Sequence, residues 1–168
     1  MRLILETDRL LLREMGPEDL DGVAEMLAHP EVMTFWPKPH TRAQAVEWIQ
    51  RQQARYARDG YGYWLALDKA RGQQPIGQAG LLAQQVDGVP EVGIGYILHR
   101  PFWRQGYATE AALACRDYAF HNLDRTRVIT LVRPGNLGSQ AVSRKIGLQP
   151  VGETMHANLL HIVFAGNR

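Results

Sequence analysis

The feature that most constrains the fold of this chain is a strand, a glycine-containing loop and a helix that follow one another in mid-sequence. Residues 92–98 (VGIGYIL) are apolar and predict a strand, and residues 108–120 predict a helix. The loop between them carries Arg100, Arg104 and Gly106. Because the first turn of a helix has unbonded N–H groups and partial positive charge, this arrangement predicts a site for a phosphate or similar anion.

The familiar phosphate-binding and hydrolytic motifs do not account for this loop. Gly93 and Gly95 begin a G-x-G-x-x-G pattern, but Leu98 occupies its sixth position and both glycines lie inside the predicted strand. The dinucleotide fingerprint therefore fails. The sequence also has no G-x-x-x-x-G-K-[ST], H-E-x-x-H or G-x-S-x-G pattern. The loop must belong to another class of phosphate site.

Composition narrows the class of protein further. With 168 residues, 45% hydrophobic and 21% charged, the chain is expected to form a single globular domain over residues 1–168. A net charge of +2 without a run of Lys or Arg argues against nucleic-acid binding. Cys115 is the only cysteine, which excludes intrachain disulfides and Cys-rich metal sites, and we expect no metal. Without a signal peptide or a membrane-length apolar run, a cytoplasmic location and no membrane partner are expected.

Periodicity along the chain predicts elements in the order β-α-α-β-β-β-α-β-α-β-β. A strand at residues 10–14 precedes two helices, of which the second is capped by Thr41 and ends before Gly60. Asp87-Gly88 marks a hairpin turn, and Gly147 ends the last helix. The pattern predicts one mixed α/β domain with a mostly antiparallel sheet and βα units in its second half.

The central loop resembles the acetyl-CoA loop of the GNAT acetyltransferases, whose pattern is [Q/R]-x-x-G-x-[G/A]. Gly106 and Ala108 match the last two positions, and Trp103 stands where Gln or Arg is usual. That departure resembles the ribosomal-protein N-acetyltransferase (RimJ/RimL-like) branch of the family. Other stretches along nearly the whole chain are similar to the same branch: residues 7–13 (TDRLLLR), 19–20, 29–33, 35–37, 136–139 (NLGS) and 144–148 (RKIGL).

The resemblance implies a GNAT fold of the α/β (α+β) type. Its mixed, mostly antiparallel sheet would have six to seven strands, about four flanking helices, and a splayed strand pair that holds acetyl-CoA. The implied activity is transfer of the acetyl group from acetyl-CoA to a primary amine by direct attack in a ternary complex, with coenzyme A as product. A protein N-terminal α-amine is one candidate acceptor. A small amine (amino acid, polyamine or antibiotic) and a catalytically silent acyl-CoA-binding module are the alternatives, and a homodimer is expected from the habit of relatives.

The resemblance also implies which residues bind the coenzyme. Backbone N–H groups from Arg104 to Thr109 would bind the pyrophosphate, and Gly106 would permit its close approach. Backbone groups of residues 96–98 would bind the pantetheine arm, the N–H of Leu98 polarising the thioester carbonyl. Asn136 would hydrogen-bond the arm. The full predicted set is Tyr96, Ile97, Leu98, Arg104, Gln105, Gly106, Tyr107, Ala108, Thr109, Asn136 and Ser139.

Proton transfer has two candidate residues. Ser139 is predicted to be both the N-cap of the helix that follows and a hydroxyl near the sulfur. It would replace the tyrosine acid of many relatives, since Ser143 stands at that position here. Glu91 precedes Gly93 by two residues and therefore shares its strand face, which makes it a candidate base acting through a water. The alternative for Glu91 is a surface charge at the strand edge.

The sequence gives the fewest signals for the binding site of the amine acceptor. Phe35, Trp36, Tyr61 and Tyr63 are candidates for its pocket, with plain packing as the alternative for at least half of them. An α-amine titrates at about 7.7–8.0 and a lysine ε-amine at about 10.4, so an α-amine needs less help from a base. Weak acid and base candidates are therefore better matched to an α-amine.

Overall fold

The computed structural model describes residues 1–168, and its centre is one eight-stranded sheet with strands in the order β1-β2-β3-β4-β5-β6-β8-β7. The predicted GNAT-type arrangement is present, but the expected six to seven strands become eight. The strands are β1 Leu3–Glu6, β2 Leu10–Arg13, β3 Tyr63–Asp68, β4 Gln74–Val86, β5 Val89–Leu98, β6 Arg127–Val132, β7 Gln149–His156 and β8 Leu159–Asn167. The helices are α1 Leu20–Ala28, α2 Arg42–Asp59, α3 Tyr107–His121 and α4 Leu137–Lys145.

The additional strand is β1, which pairs with β2 at the edge of the sheet. It has four residues, and the middle two are only half-buried. A strand this short offers too few alternating positions for the period-2 pattern to be recognised. Its formation depends on the neighbouring β2 ladder, which periodicity within the segment does not report.

Local signals elsewhere are confirmed by the backbone. Thr41 and Gln44 form a reciprocal capping box at the start of α2, and Gly60 ends that helix with φ 81°. The predicted Asp87-Gly88 turn between β4 and β5 is present: both residues have positive φ, and the strands pair up to Val86 and Val89. The long β4–β5 hairpin is thus fixed by a two-residue turn.

Two layers of side chains hold helices against opposite faces of the sheet. Trp64, Ile94 and Phe164 belong to a core that includes Ala111 and Cys115 of α3. Cys115 is fully buried, and burial raises the pKa of its thiol, which agrees with a packing role. On the other face, α1 and α2 pack against β3 and β4 through Val23, Met26, Leu27, Trp48, Ile49, Leu65 and Leu82.

The splayed pair is formed by β5 and β6, the only parallel neighbours in the sheet. They pair at a single position, Gly93 with Ile129, and β5 continues to Leu98 without a partner on that side. The backbone of β5 beyond Gly93 is therefore free to bind something other than a strand.

Candidate active site

The loop before α3 has the backbone geometry of an anion site. Gly106 caps the helix with φ 83°, and its carbonyl accepts the first intrahelical bond from the N–H of Glu110 at 3.0 Å. The N–H groups of Tyr107, Ala108 and Thr109 precede that bond and have no helical partner. The left-handed conformation at residue 106 strongly favours glycine. The predicted glycine turn is thus present, and it leaves these three N–H groups free.

The N-terminal segment braces this loop from outside. Arg9 donates from Nε to Glu110 Oε2 at 2.6 Å and from Nη1 to the Gln105 carbonyl at 2.9 Å, and its guanidinium lies 4.2 Å from the Tyr107 ring centroid. Thr7 Oγ1 donates to Glu110 Oε1 at 2.6 Å. Burial opposes ionisation of Glu110, but the hydrogen bonds from Thr7 and Arg9 outweigh it and hold the Glu110 pKa below its ordinary value. The TDRLLLR segment therefore positions the loop.

A cavity of about 760 Å³ lies between the free end of β5, the loop before α3 and one side of α4; we call it the loop cavity. Lys145, at the end of α4, lines it and was not foreseen from the sequence. Gln105 does not line it, because its side chain donates to the Pro101 carbonyl at 2.8 Å. The other predicted coenzyme-binding residues all line it: Tyr96, Ile97, Leu98, Arg104, Gly106, Tyr107, Ala108, Thr109, Asn136 and Ser139.

Backbone direction separates the three residues at the end of β5. His99 N–H donates to the Ile76 carbonyl of β4 at 2.9 Å, and groups alternate sides along a strand. Tyr96 and Leu98 therefore direct their N–H groups away from β4, into the splay, whereas Ile97 directs its groups to β4, contrary to expectation. The Leu98 carbonyl accepts the Trp103 indole N–H at 3.0 Å. The N–H groups of Tyr96 and Leu98 therefore remain without a strand partner beside the loop cavity.

The start of α4 differs from the prediction. Asn136, rather than Ser139, is the N-cap, because the Asn136 side-chain oxygen accepts the Ser139 N–H at 3.1 Å. An Asx residue three positions upstream satisfies that N–H, so the helix begins at Leu137. Ser139 is thus in the first turn, and its hydroxyl is released from capping. The Asn136 amide nitrogen stays available beside the loop cavity.

Ser139 is paired with the phenol of Tyr96, which the sequence had indicated only for its backbone. The two hydroxyl oxygens lie 2.6 Å apart, and Tyr96 also contacts the Ser139 carbonyl at 3.3 Å. Burial raises the pKa of Tyr96 to about 12, so the phenol is protonated at neutral pH. Ser143 is fully buried, with its hydroxyl 2.7 Å from that of Thr130. A tyrosine from β5 therefore occupies this region in place of one from α4.

A second cavity of about 480 Å³ shares Tyr96 and Ser139 with the loop cavity; we call it the aromatic cavity. It is bounded by the 35–37 loop, α2, β4, β5, β6 and the β7–β8 hairpin. Trp48 and Tyr63 stack within it at a centroid distance of 5.4 Å. Five residues line both cavities: Phe35, Trp36, Tyr96, Asn136 and Ser139.

Two of the predicted residues lie elsewhere. Tyr61 is 4% exposed, belongs to the core and lines neither cavity, which agrees with its alternative reading as packing. Glu91 accepts from Arg127 Nε at 3.0 Å in an ion pair at the closed end of the splay, and it lines neither cavity. The structure brings Phe35, Trp36 and Tyr63 to the aromatic cavity but leaves it without a carboxylate.

The titratable groups of the aromatic cavity are cationic or neutral. It is lined by Arg51, Arg55, Arg133, His156 and His161, none of which the sequence had indicated. His161 Nδ1 lies 2.8 Å from the Leu159 carbonyl, so Nδ1 carries the proton and Nε2 keeps a free lone pair. Burial lowers the pKa of His161, which favours the neutral imidazole.

No group of three or more His, Cys, Asp or Glu side chains is placed to hold a metal ion. None of the helices has the length and apolar character needed to cross a bilayer.

Comparison with known proteins agrees with this geometry. Residues 9–149 match the family described as acetyltransferase (GNAT) domain, so the chain belongs to the GNAT family of N-acetyltransferases. It is 37% identical to the uncharacterised protein YkkB of Bacillus subtilis (strain 168) over 145 residues, covering 86% of this chain and 84% of that protein.

Solved structures share the architecture. An acetyltransferase from Agrobacterium tumefaciens str. C58 superposes with a TM-score of 0.83 at 26% identity, covering 98% of this chain and 94% of that one. RimL, a ribosomal L7/L12 α-N-protein acetyltransferase in complex with coenzyme A, gives a TM-score of 0.80 at 18% identity, covering 99% and 98%. At that identity the likeness to RimL shows a common fold.

Proposed function

We propose that the chain acetylates an α-amine, with acetyl-CoA in the loop cavity and the amine in the aromatic cavity. The observation that carries this proposal is the common wall of the two cavities, where the hydroxyl groups of Tyr96 and Ser139 lie 2.6 Å apart. A donor in one cavity and an acceptor in the other would meet at this pair. Such a meeting is what direct attack in a ternary complex requires.

The loop cavity fits coenzyme A by charge and by backbone. The N–H groups at the start of α3 are directed to an anion site at Gly106, where a Cβ would occupy space beside Arg9. Arg104 and Lys145 line the cavity without an acidic partner and are available to the phosphates. Acetyl-CoA supplies an activated thioester when bound.

The residues at the common wall act on charge and protons. The N–H of Leu98 would donate to the oxygen of the attacked carbonyl, on which negative charge develops. As the new C–N bond forms and the C–S bond breaks, the leaving sulfur needs a proton. The Tyr96–Ser139 pair supplies it, because a phenol held protonated by burial is a donor at neutral pH.

The amine must lose a proton as well. The aromatic cavity has no carboxylate to take it, and Glu91 is held by Arg127 outside this cavity. We assign this step to His161, because it lines the cavity and its Nε2 has a free lone pair. The α-amine of a peptide, with a pKa of about 7.7–8.0, is already partly neutral at pH 7, and a peptide N-terminus is therefore an acceptor that this site favours.

A thiol-release assay with acetyl-CoA tests the proposal. The panel pairs α-amines (amino acids and short peptides) with lysine side-chain amines, polyamines and aminoglycosides. We expect turnover with α-amines to exceed turnover with the other classes at least tenfold. Tight binding of acetyl-CoA without turnover of any amine would favour the silent binding module instead, and faster turnover of polyamines or aminoglycosides would favour the small cationic acceptors.

A further inference from the structure

We infer that the acceptor carries a carboxylate close to its α-amine and that Arg55 and Arg133 of the aromatic cavity bind this carboxylate. The inference rests on the proposed placement of the amine in this cavity. It deepens that proposal by naming the second functional group of the substrate. The chemistry is available from two sources, the carboxylate of a free amino acid or an acidic side chain at the start of a peptide.

The first support is the distribution of unpaired cations over the molecule. Of 19 Lys and Arg residues, eleven form ion pairs with a carboxylate. Among the remainder, Arg104 and Lys145 line the loop cavity, where phosphates are expected, and Arg51, Arg55 and Arg133 line the aromatic cavity. Cations without an internal partner are thus concentrated where ligands bind.

The second support is the sign of every charged group in the aromatic cavity. No Asp or Glu lines it, while three arginines do. A polycation such as a polyamine or an aminoglycoside would meet only like charge there. An anionic group would meet complementary charge, and arginine offers paired N–H donors that match the geometry of a carboxylate.

Arg55 and Arg133 each have donor capacity that the protein does not use. The only side-chain partner of Arg55 is the neutral Gln52 Oε1, at 3.1 Å from its Nη1. Burial lowers the pKa of Arg55, and the neighbouring Arg51 adds repulsion. Arg133 donates from Nη1 to the Phe35 carbonyl at 3.3 Å, but its buried Nε has no partner. A partly buried guanidinium without a counter-charge is costly, and a bound carboxylate would offset that cost.

The same charges assist the chemistry. A cationic surrounding disfavours the ammonium form of a bound amine and so lowers its pKa. The carboxylate of the substrate anchors the molecule, while Arg51 keeps the amine end in a positive field. The aromatic walls formed by Trp48 and Tyr63 accommodate the apolar part of the acceptor. By lowering the pKa of the bound amine, the cavity partly compensates for the absence of a carboxylate base.

Matched substrates test the inference directly. Turnover of amino acids is compared with that of their amides and of dipeptides whose first residue is acidic, at pH values that give equal neutral-amine fractions. We expect removal of the carboxylate to lower kcat/KM at least tenfold. A preference for free amino acids identifies the main-chain carboxylate as the anchor, and a preference for acidic dipeptides identifies the side chain. Equal turnover of acids and amides would overturn the inference, while the acetyltransferase proposal would stand.

Variants provide the second arm. Arg55→Gln and Arg133→Gln should each raise KM for the carboxylate substrate about tenfold with little change in kcat, and Arg55→Lys should recover part of the loss. Arg125→Gln is the control, since Arg125 is exposed, has no ion pair and lines neither cavity. If no amine turns over, calorimetric binding of N-acetylated amino acids to the coenzyme A complex replaces the assay. Equal binding by wild type and Arg55→Gln would then overturn the inference.

Discussion

The loop cavity and the aromatic cavity differ in how they are built. The loop cavity comes mainly from two continuous stretches, residues 96–109 and 135–145, and much of its chemistry is backbone N–H. The aromatic cavity takes side chains from the 35–37 loop, α2, β4, β5, β6 and the β7–β8 hairpin. Local sequence determines the backbone geometry of a loop. A cavity lined by distant segments depends instead on the register of the whole sheet. The residues of the loop cavity were therefore predictable, and most of those of the aromatic cavity were not.

The largest expected effect concerns the backbone of the loop cavity. Gly106→Glu places a side chain at φ 83°, 3.2 Å from Arg9 Nη2, and adds negative charge to the anion site. We expect binding of acetyl-CoA, measured by calorimetry, to weaken at least 100-fold.

Gly88→Glu is the matched control for this variant. Gly88 has the same φ of 83° in the β4–β5 turn, with open space around it. The control carries the same backbone strain and charge, so acetyl-CoA binding should stay close to wild type. Near-normal binding by a folded Gly106→Glu protein would remove the distinction between the two cavities.

The next effect is at the wall that the cavities share. Tyr96→Phe removes the phenol that contacts Ser139, and general acid catalysis is typically worth about 10²-fold or more. We expect kcat to fall about 100-fold while the dissociation constant of acetyl-CoA changes less than threefold.

Tyr118→Phe serves as the comparison, because Tyr118 is half-buried against Trp64 and lines neither cavity. If the phenol donates the proton, the Tyr96→Phe variant should also lose less activity with acetyl thioesters whose thiol is a better leaving group. A uniform loss across leaving groups would assign Tyr96 a purely positional role.

A smaller effect is expected from the brace on the loop cavity. Glu110→Gln removes the charge that Thr7 and Arg9 bind, so acetyl-CoA affinity should drop about tenfold and the free energy of unfolding by about 1–3 kcal/mol. Glu47→Gln, at an exposed position on α2, should be neutral.

The same carboxylate gives a pH dependence with a definite sign. The folded-state pKa of Glu110 is lowered, so the unfolded chain binds the proton first as pH falls. The stabilisation is present above the unfolded pKa of about 4.3 and is lost below it as pH falls through the folded pKa. Urea titrations of wild type and Glu110→Gln should therefore differ at pH 7 and converge at low pH. A constant difference would show that charge is not the cause.

Particular residues show where sequence reasoning stops. Gly106 and Ala108 were the motif positions from which the loop was predicted. Ten of the eleven predicted coenzyme residues line the loop cavity. Ser139 was misplaced as a cap because Asn136 satisfies the same N–H from three residues upstream. The Tyr96 phenol and the unpaired arginines gave no local signal, because their roles follow from which strands and helices become neighbours.

Glu91→Gln is expected to have the smallest effect on kcat. It tests whether the base lies in the aromatic cavity or on β5. The sequence favoured Glu91 as the base because it shares a strand face with Gly93, but its carboxylate is bound to Arg127 and lines neither cavity. We expect kcat to change less than threefold, and the pH profile of kcat/KM to keep its acidic limb. His161→Asn, in contrast, should shift or abolish that limb, because His161 is the neutral imidazole inside the aromatic cavity. A 100-fold loss of kcat in Glu91→Gln with normal stability would instead identify Glu91 as the base. The aromatic cavity would then have a purely binding role.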